Sequence, residues 1–121
     1  MLILRKEKFK VRNKNDRIGK CETRMFTKHH GVCRTYSVLQ TKYAEILEDD
    51  PTVKEFSTNI PIEGTAYTTD FLITQNDGTV MARECILHLD LAKPRWLALL
   101  DMSRNYWTNK AIDWGLIANK T

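Results

Sequence analysis

The feature that most constrains the fold of this chain is a hairpin signal at residues 67–89, YTTDFLITQNDGTVMARECILHL. An apolar segment runs into Asn76-Asp77-Gly78, a sequence that favours a tight turn, and a second apolar segment follows the turn. Because the turn sets the register of the strands it joins, the cross-strand neighbours can be counted outward from it. The segment therefore predicts two antiparallel strands with a known pairing.

Each of these two strands carries a carboxylate. Counting outward from a turn centred near Asp77 places Asp70 opposite Glu84. Two like charges in this position repel unless a cation lies between them, and carboxylate oxygens suit a hard cation such as Mg²⁺ or Mn²⁺. The alternative is that Asp70 caps the end of its strand and Glu84 points to solvent. Spacing alone leaves both interpretations open.

A second group of possible metal ligands lies earlier in the chain, at Cys21, His29, His30 and Cys33. These residues supply enough soft ligands for zinc. The segment also reads as two short strands around Lys28-His29-His30-Gly31, which would put the histidines at the turn and the cysteines below it. The alternatives are therefore a zinc site, a hairpin tip with two buried thiols, or a tip whose histidines contact a phosphate.

A first helix is predicted to follow this hairpin. Ser37 is a suitable N-cap, apolar residues recur at helical spacing after it, and Pro51 ends the helix. The segment TVKEFST at residues 52–58 then reads as a short extended stretch.

A second helix is predicted from Pro94 to about Asn109, and a last strand at DWGLIAN, residues 113–119. The order hairpin, helix, hairpin, helix, strand predicts a mixed α/β fold, in which a mixed sheet is flanked by helices. Trp107 and Trp114 are expected to fill the core, with a base-stacking surface as the alternative.

The positive charge of the chain is concentrated at its N-terminus. The net charge is +4, but residues 1–30 hold ten Lys and Arg against three acids, and residues 31–121 hold nine against twelve. We interpret residues 1–19 as a basic arm that binds a polyanion such as nucleic acid, with a solvated tail as the alternative. The cations proposed to contact DNA are Lys6, Lys8, Lys10, Arg12, Lys14 and Arg17.

Length and cysteine content narrow the class of protein. A chain of 121 residues is expected to form one folded domain. No apolar run approaches the length of a membrane span, so no membrane partner is expected. The three cysteines are an odd number without framework spacing, which favours a reducing compartment and a cytoplasmic location.

Residues 20–121 resemble the N-terminal domain of TnsA, the endonuclease subunit of heteromeric cut-and-paste transposases. The family pattern starts with a helix that contains Ser-x-x-Glu and is stopped by an acidic residue followed by Pro-x-Val. A hairpin follows, which carries Thr-x-Asp-Phe-Leu and ends in (Glu or Gln)-x-Lys. A helix that ends in Tyr-Trp and a strand that reads Trp-x-x-Ile complete the pattern. The segments of this chain that carry the resemblance are SVLQTKYAEILEDDPTVKEF, IPI, YTTDFLI, NDG and RNYWTNKAIDWGLIANK.

The resemblance implies a restriction-endonuclease-like fold of the PD-(D/E)xK superfamily and Mg²⁺- or Mn²⁺-dependent cleavage of DNA at transposon ends. It also implies two partners, a TnsB-like transposase and a TnsC-like ATPase. In such nucleases two hairpin carboxylates hold the metal beside the scissile phosphate, a lysine handles the attacking water, and a helix glutamate completes the site. Asp70 and Glu84 match the two metal-binding carboxylates.

The chain departs from the family pattern at two of the four positions. Gln40 stands where the family has the helix glutamate, and Ile86 stands where it has the lysine. Gln40 keeps an amide oxygen that can face a metal or its water. Ile86 can neither orient a water molecule nor stabilise an anion. Arg83 is expected on the opposite face from Glu84, which leaves Lys93 as a nearby cation. The sequence therefore predicts either an endonuclease with a weakened site or a catalytically degenerate DNA-binding or assembly module of the same fold.

Overall fold

The computed structural model describes residues 21–119, so the predicted basic arm lies outside the described residues. This part of the chain is mixed α/β, as predicted. Its elements are β1 (Glu22–Met25), β2 (Val32–Thr35), α1 (Val38–Asp49), β3 (Val53–Pro61), β4 (Thr68–Gln75), β5 (Val80–Ile86), a 3₁₀ helix (His88–Ala92), α2 (Pro94–Thr108) and β6 (Asp113–Ala118).

The strands form two sheets. The strands β1 and β2 pair with each other, and the other four lie in the order β3-β4-β5-β6. The pairs β3–β4 and β4–β5 are antiparallel, whereas β5 and β6 are parallel because α2 connects them as a crossover. The larger sheet is therefore mixed, as the sequence predicted.

The β4–β5 hairpin has the predicted register. Phe71 lies opposite Arg83, and Thr74 lies opposite Val80. The turn closes with a 2.9 Å hydrogen bond from the Gly78 N–H to the Gln75 carbonyl. Gly78 has a φ of 91°, a conformation that costs a residue without a Cβ little, so the Asn-Asp-Gly signal decides the register.

Helix α1 begins and ends where the sequence indicates. The Ser37 hydroxyl accepts a 3.1 Å hydrogen bond from the Gln40 N–H, which satisfies one of the open donors of the first turn. At the other end, the Asp50 N–H donates to the Leu47 carbonyl, and Pro51 follows. Helix α2 likewise has Pro94 in its first turn.

Two elements differ from the sequence-based expectation. The short extended stretch at residues 52–58 is part of the nine-residue strand β3, which pairs along its length with β4. Polar residues in β3 hide its strand character, and only the partner strand provides its hydrogen bonds. The 3₁₀ helix His88–Ala92 was not predicted, because the chain there reads as a continuation of the apolar strand.

The larger sheet has a hydrophobic cluster on each face. Helix α1 covers a cluster that includes Phe56, Phe71 and Ile73. The smaller cluster, under α2, contains Ile86, Trp96 and Leu100.

Of the two tryptophans expected in the core, Trp107 is buried and Trp114 is only half-buried. In residues 21–119 no helix combines the length and apolarity needed to span a membrane. The buried Trp107 and the smaller cluster pack α2 against one face of the sheet.

Candidate carboxylate site

Asp70 and Glu84 meet across the β4–β5 hairpin at the point where the strand pairing ends. The Asp70 N–H donates to Glu84 Oε1 at 3.2 Å, and the Cys85 N–H donates to Asp70 Oδ2 at 2.7 Å. Each carboxylate thus accepts a backbone N–H from the opposite strand, one step beyond the last ladder pair, Phe71 with Arg83. The predicted juxtaposition is therefore present in the fold.

Both carboxylates are buried. Asp70 is 2 % exposed and Glu84 is 0 % exposed. The alternative in which Glu84 points to solvent is therefore wrong, because the side chain lies between the sheet and α2. A buried carboxylate is stable only where hydrogen-bond donors surround it, which explains the backbone N–H groups at this point.

Helix α2 supplies a third donor, which sequence reasoning missed. The Ser103 hydroxyl donates to Glu84 Oε2 at 2.6 Å, and Ser103 Oγ accepts a 3.0 Å hydrogen bond from Trp114 Nε1. Ser103 is fully buried and shares the buried face of α2 with Leu100 and Trp107. The signal was its helical spacing from these apolar residues, because a serine on a buried stripe needs a polar partner.

Gln40 lies close to the hairpin but uses its side chain for the fold. Its Oε1 accepts a 2.8 Å hydrogen bond from the Tyr36 N–H. Its Nε2 donates to Asn59 Oδ1 at 3.0 Å and to the Asp70 carbonyl at 3.4 Å. The amide group therefore reaches Asp70 through its nitrogen and the backbone, while its oxygen faces the start of α1.

Ile86 is buried among apolar residues, and the cations Lys93 and Arg83 are already paired. Ile86 is 0 % exposed and packs in the cluster under α2. Lys93 Nζ lies 2.8 Å from Asp90 Oδ1, and Arg83 Nη2 lies 2.8 Å from Asp113 Oδ2. Arg83 is on the α1 face of β5, as predicted from strand alternation. Each of these two cations therefore has an acidic partner away from Glu84.

The carboxylate oxygens of Asp70 and Glu84 are suitable ligands for a hard cation, but both side chains are buried, which limits the access of an ion to them. Mg²⁺ usually keeps several water ligands and contacts a substrate phosphate, which requires an open position. In residues 21–119 no group of three or more His, Cys, Asp or Glu side chains is placed to hold one ion. As the pair stands, it closes the end of a strand ladder, and a metal held by Asp70 and Glu84 would require the site to open.

The Cys and His residues of the first hairpin differ in their burial and in their hydrogen-bond partners. Cys21 is exposed and Cys33 is buried, so one of the two thiols lies in the core as predicted and the other does not. His29 Nε2 lies 3.2 Å from Thr58 Oγ1, and its Nδ1 lies 3.3 Å from the Gly31 carbonyl. Burial raises the pKa of the Cys33 thiol, although the Thr58 hydroxyl and Arg24 oppose the shift.

No protein-family model matches the chain, and no curated protein sequence matches it.

Proposed function

We propose that this chain is a DNA-binding module with the scaffold of a TnsA-like endonuclease domain, and that its Asp70–Glu84 pair serves the fold. The observation that carries the proposal is the burial of both carboxylates with backbone N–H groups and the Ser103 hydroxyl as their partners. A nuclease site must instead expose its carboxylates to a metal, to water and to the scissile phosphate.

The scaffold part of the proposal is supported by the order of the elements. Helix α1, strands β3 to β5, helix α2 and strand β6 follow one another, and β6 pairs parallel with β5. The carboxylates stand on the two strands of the central hairpin, which is where the resemblance to TnsA places them. By the same resemblance, the partners are a TnsB-like transposase and a TnsC-like ATPase at transposon ends.

The DNA-binding part is supported by charge. Residues 1–30 carry an excess of cations, whereas the rest of the chain is slightly acidic. Contacts between such cations and phosphates bind DNA without regard to sequence, and they release counterions as they form.

The second candidate is an active endonuclease, favoured by the meeting of Asp70 and Glu84 across the hairpin. When bound there, Mg²⁺ or Mn²⁺ would neutralise the charge of a scissile phosphate and lower the pKa of a water ligand. Asp70 and Glu84 would hold it, and Gln40 lies next to Asp70 without adding charge.

A nicking assay on supercoiled DNA, with Mg²⁺ and with Mn²⁺, separates the two candidates. We expect the native chain to bind the DNA and leave it intact. The double variant Gln40→Glu, Ile86→Lys restores both missing groups and is expected to nick, with each single variant doing less because such groups act together. The buried position of Ile86 means that the lysine is desolvated there, so the double variant is expected to melt at a lower temperature without metal and to recover partly with it.

Two outcomes would change the assignment. Metal-dependent nicking by the native chain, abolished by Asp70→Asn, would favour the endonuclease. A folded, DNA-binding double variant that never nicks would remove the correspondence of Gln40 and Ile86 with catalytic positions and leave only the binding module.

A further inference from the structure

The groove between β2 and β3 has the composition of a phosphate-binding site. It is open to solvent, has a volume of about 340 Å³ and is lined by His29, Val32, Arg34, Tyr36, Ser57, Thr58 and Asn59. This volume falls at the lower end of the range for small-ligand pockets, about 300–1,000 Å³. We propose that this groove holds one phosphodiester group of a nucleic acid, with Arg34 as its principal ligand.

Arg34 is distinguished by its lack of partners. Residues 21–119 contain five arginines, and Arg24, Arg83 and Arg104 each pair with an acid. Arg95 lies over the ring of Trp96. Within this described range, the Arg34 guanidinium has no ion pair, hydrogen bond or ring contact, and the side chain is exposed at the groove. Its planar fork of donors matches the geometry of a phosphate.

The walls of the groove complement an anion. The residues that line it include no Asp or Glu. Ser57 is exposed and brings a hydroxyl, and His29 brings an imidazole whose Nε2 is 3.2 Å from Thr58 Oγ1. Val32 and Tyr36 add apolar surface beside these polar groups, which suits the sugar or base attached to the phosphate.

Asn59 lines the groove and is hydrogen-bonded to two other parts of the chain. This residue has a φ of 56°, a left-handed conformation that asparagine tolerates better than most residues. Its Nδ2 donates to the Arg34 carbonyl at 2.8 Å, and its Oδ1 accepts from Gln40 Nε2 at 3.0 Å. Gln40 in turn contacts the Asp70 carbonyl, so the groove is linked through two side chains to the carboxylate hairpin.

The inference rests on the proposed DNA binding, which it deepens by naming one contact. The test compares the salt dependence of DNA affinity for the native chain and for Arg34→Gln, measured by fluorescence anisotropy with a labelled duplex and a labelled single strand. One lost phosphate contact is expected to reduce the slope of log K against log salt by about 0.9 for the duplex and about 0.7 for the single strand.

The matched control is Arg24→Gln, because Arg24 lies on the same small sheet but opposite Cys33, on the face that turns toward Glu45 of α1. We expect this variant to keep the native slope. Equal changes in the two variants would overturn the inference, since they would show a general charge effect, and an unchanged slope in Arg34→Gln would overturn it as well.

A titration of the native chain with thymidine 5′-monophosphate and with inorganic phosphate, followed by the backbone amide NMR signals of residues 57–59, separates this inference from the proposed function. If DNA does not bind but the nucleotide shifts these signals in the native chain and not in Arg34→Gln, the groove is a phosphate site and the proposed function is wrong. If neither the DNA nor the two small anions bind, both are wrong. A response to inorganic phosphate alone would contradict the nucleic-acid ligand.

Discussion

At the scale of single residues, one serine links a buried carboxyl group to a tryptophan on another element. Ser103 connects the Glu84 carboxylate to the Trp114 indole, and so joins β5, α2 and β6. Hydrogen bonds to a charged group contribute more than those between neutral groups, about 1.5–3 kcal/mol, and an unsatisfied buried group costs free energy. The Ser103 hydroxyl is therefore expected to contribute to the stability of the fold although the side chain is small.

The variant Ser103→Ala tests this role. It is expected to lower the free energy of unfolding by about 1–3 kcal/mol, because the Glu84 carboxylate loses a donor and the Trp114 N–H loses an acceptor. Urea denaturation followed by tryptophan fluorescence measures the change. The control Ser57→Ala removes an exposed hydroxyl and is expected to stay within about 0.5 kcal/mol of the native chain. Equal effects of the two substitutions would refute the role of Ser103.

At the scale of elements, one carboxylate fastens the first hairpin to α1. Glu48 Oε2 accepts hydrogen bonds from the Thr27 N–H and hydroxyl at 3.0 and 2.6 Å. Its Oε1 accepts from the Lys28 N–H at 3.1 Å. These bonds, chiefly that from the Thr27 hydroxyl, lower the pKa of Glu48. The turn between β1 and β2 is therefore held by a group that titrates.

This arrangement predicts a pH dependence of stability. Because the folded-state pKa of Glu48 is lowered, its contribution is present above the unfolded-state pKa of about 4.3 and is lost as the pH falls through the folded-state value. We expect Glu48→Gln to melt below the native chain at pH 7, with the difference shrinking as the pH is lowered past about 4. Thermal melts from pH 3 to 7 measure it.

The control for this experiment is Glu45→Gln, which removes the partner of Arg24 in an exposed ion pair. Such pairs contribute little, so this variant is expected to follow the native pH profile closely. If the melting temperatures of Glu48→Gln and of the native chain differ by the same amount at every pH, titration of Glu48 does not contribute to stability.

At the scale of the whole molecule, the charge is divided between the N-terminal residues and the rest. Residues 1–30 carry a net +7 and residues 31–121 a net −3. A distribution of this kind directs a polyanion toward one end of the chain. Of the residues that line the groove between β2 and β3, His29 lies in this basic segment and Arg34 follows shortly after it.

Deletion of residues 1–18 tests the arm. Each phosphate contact contributes about 0.9 to the slope of log K against log salt, so the deletion is expected to reduce that slope by several units. A full-length variant with Gln at the six proposed DNA-binding positions is the control, because it keeps the chain length and removes the charge. It should reproduce the deletion. If both variants keep the native slope of log K against log salt, residues 1–18 do not contact DNA and the solvated-tail interpretation holds.

The hairpin and the helix ends were within reach of sequence reasoning because their signals are local. Asn76-Asp77-Gly78 sets the β4–β5 register, and with it the meeting of Asp70 and Glu84. What remained out of reach was the direction and burial of these side chains. Glu84 lies among residues of both β4 and α2, and neither contact follows from the residues next to it in the chain.

The amino-acid sequence by itself determined the local geometry: the turn at Gly78, the cap at Ser37 and the mixed α/β order of elements. Turn and cap preferences act over a few residues, so a short segment encodes them completely. Only the tertiary structure decided that β3 runs its full length beside β4, that Ser103 and Glu84 form a buried pair, and that Gln40 directs its oxygen toward Tyr36. Burial and hydrogen-bond satisfaction depend on groups far apart in the chain, and packing brings those groups together only when the whole domain folds.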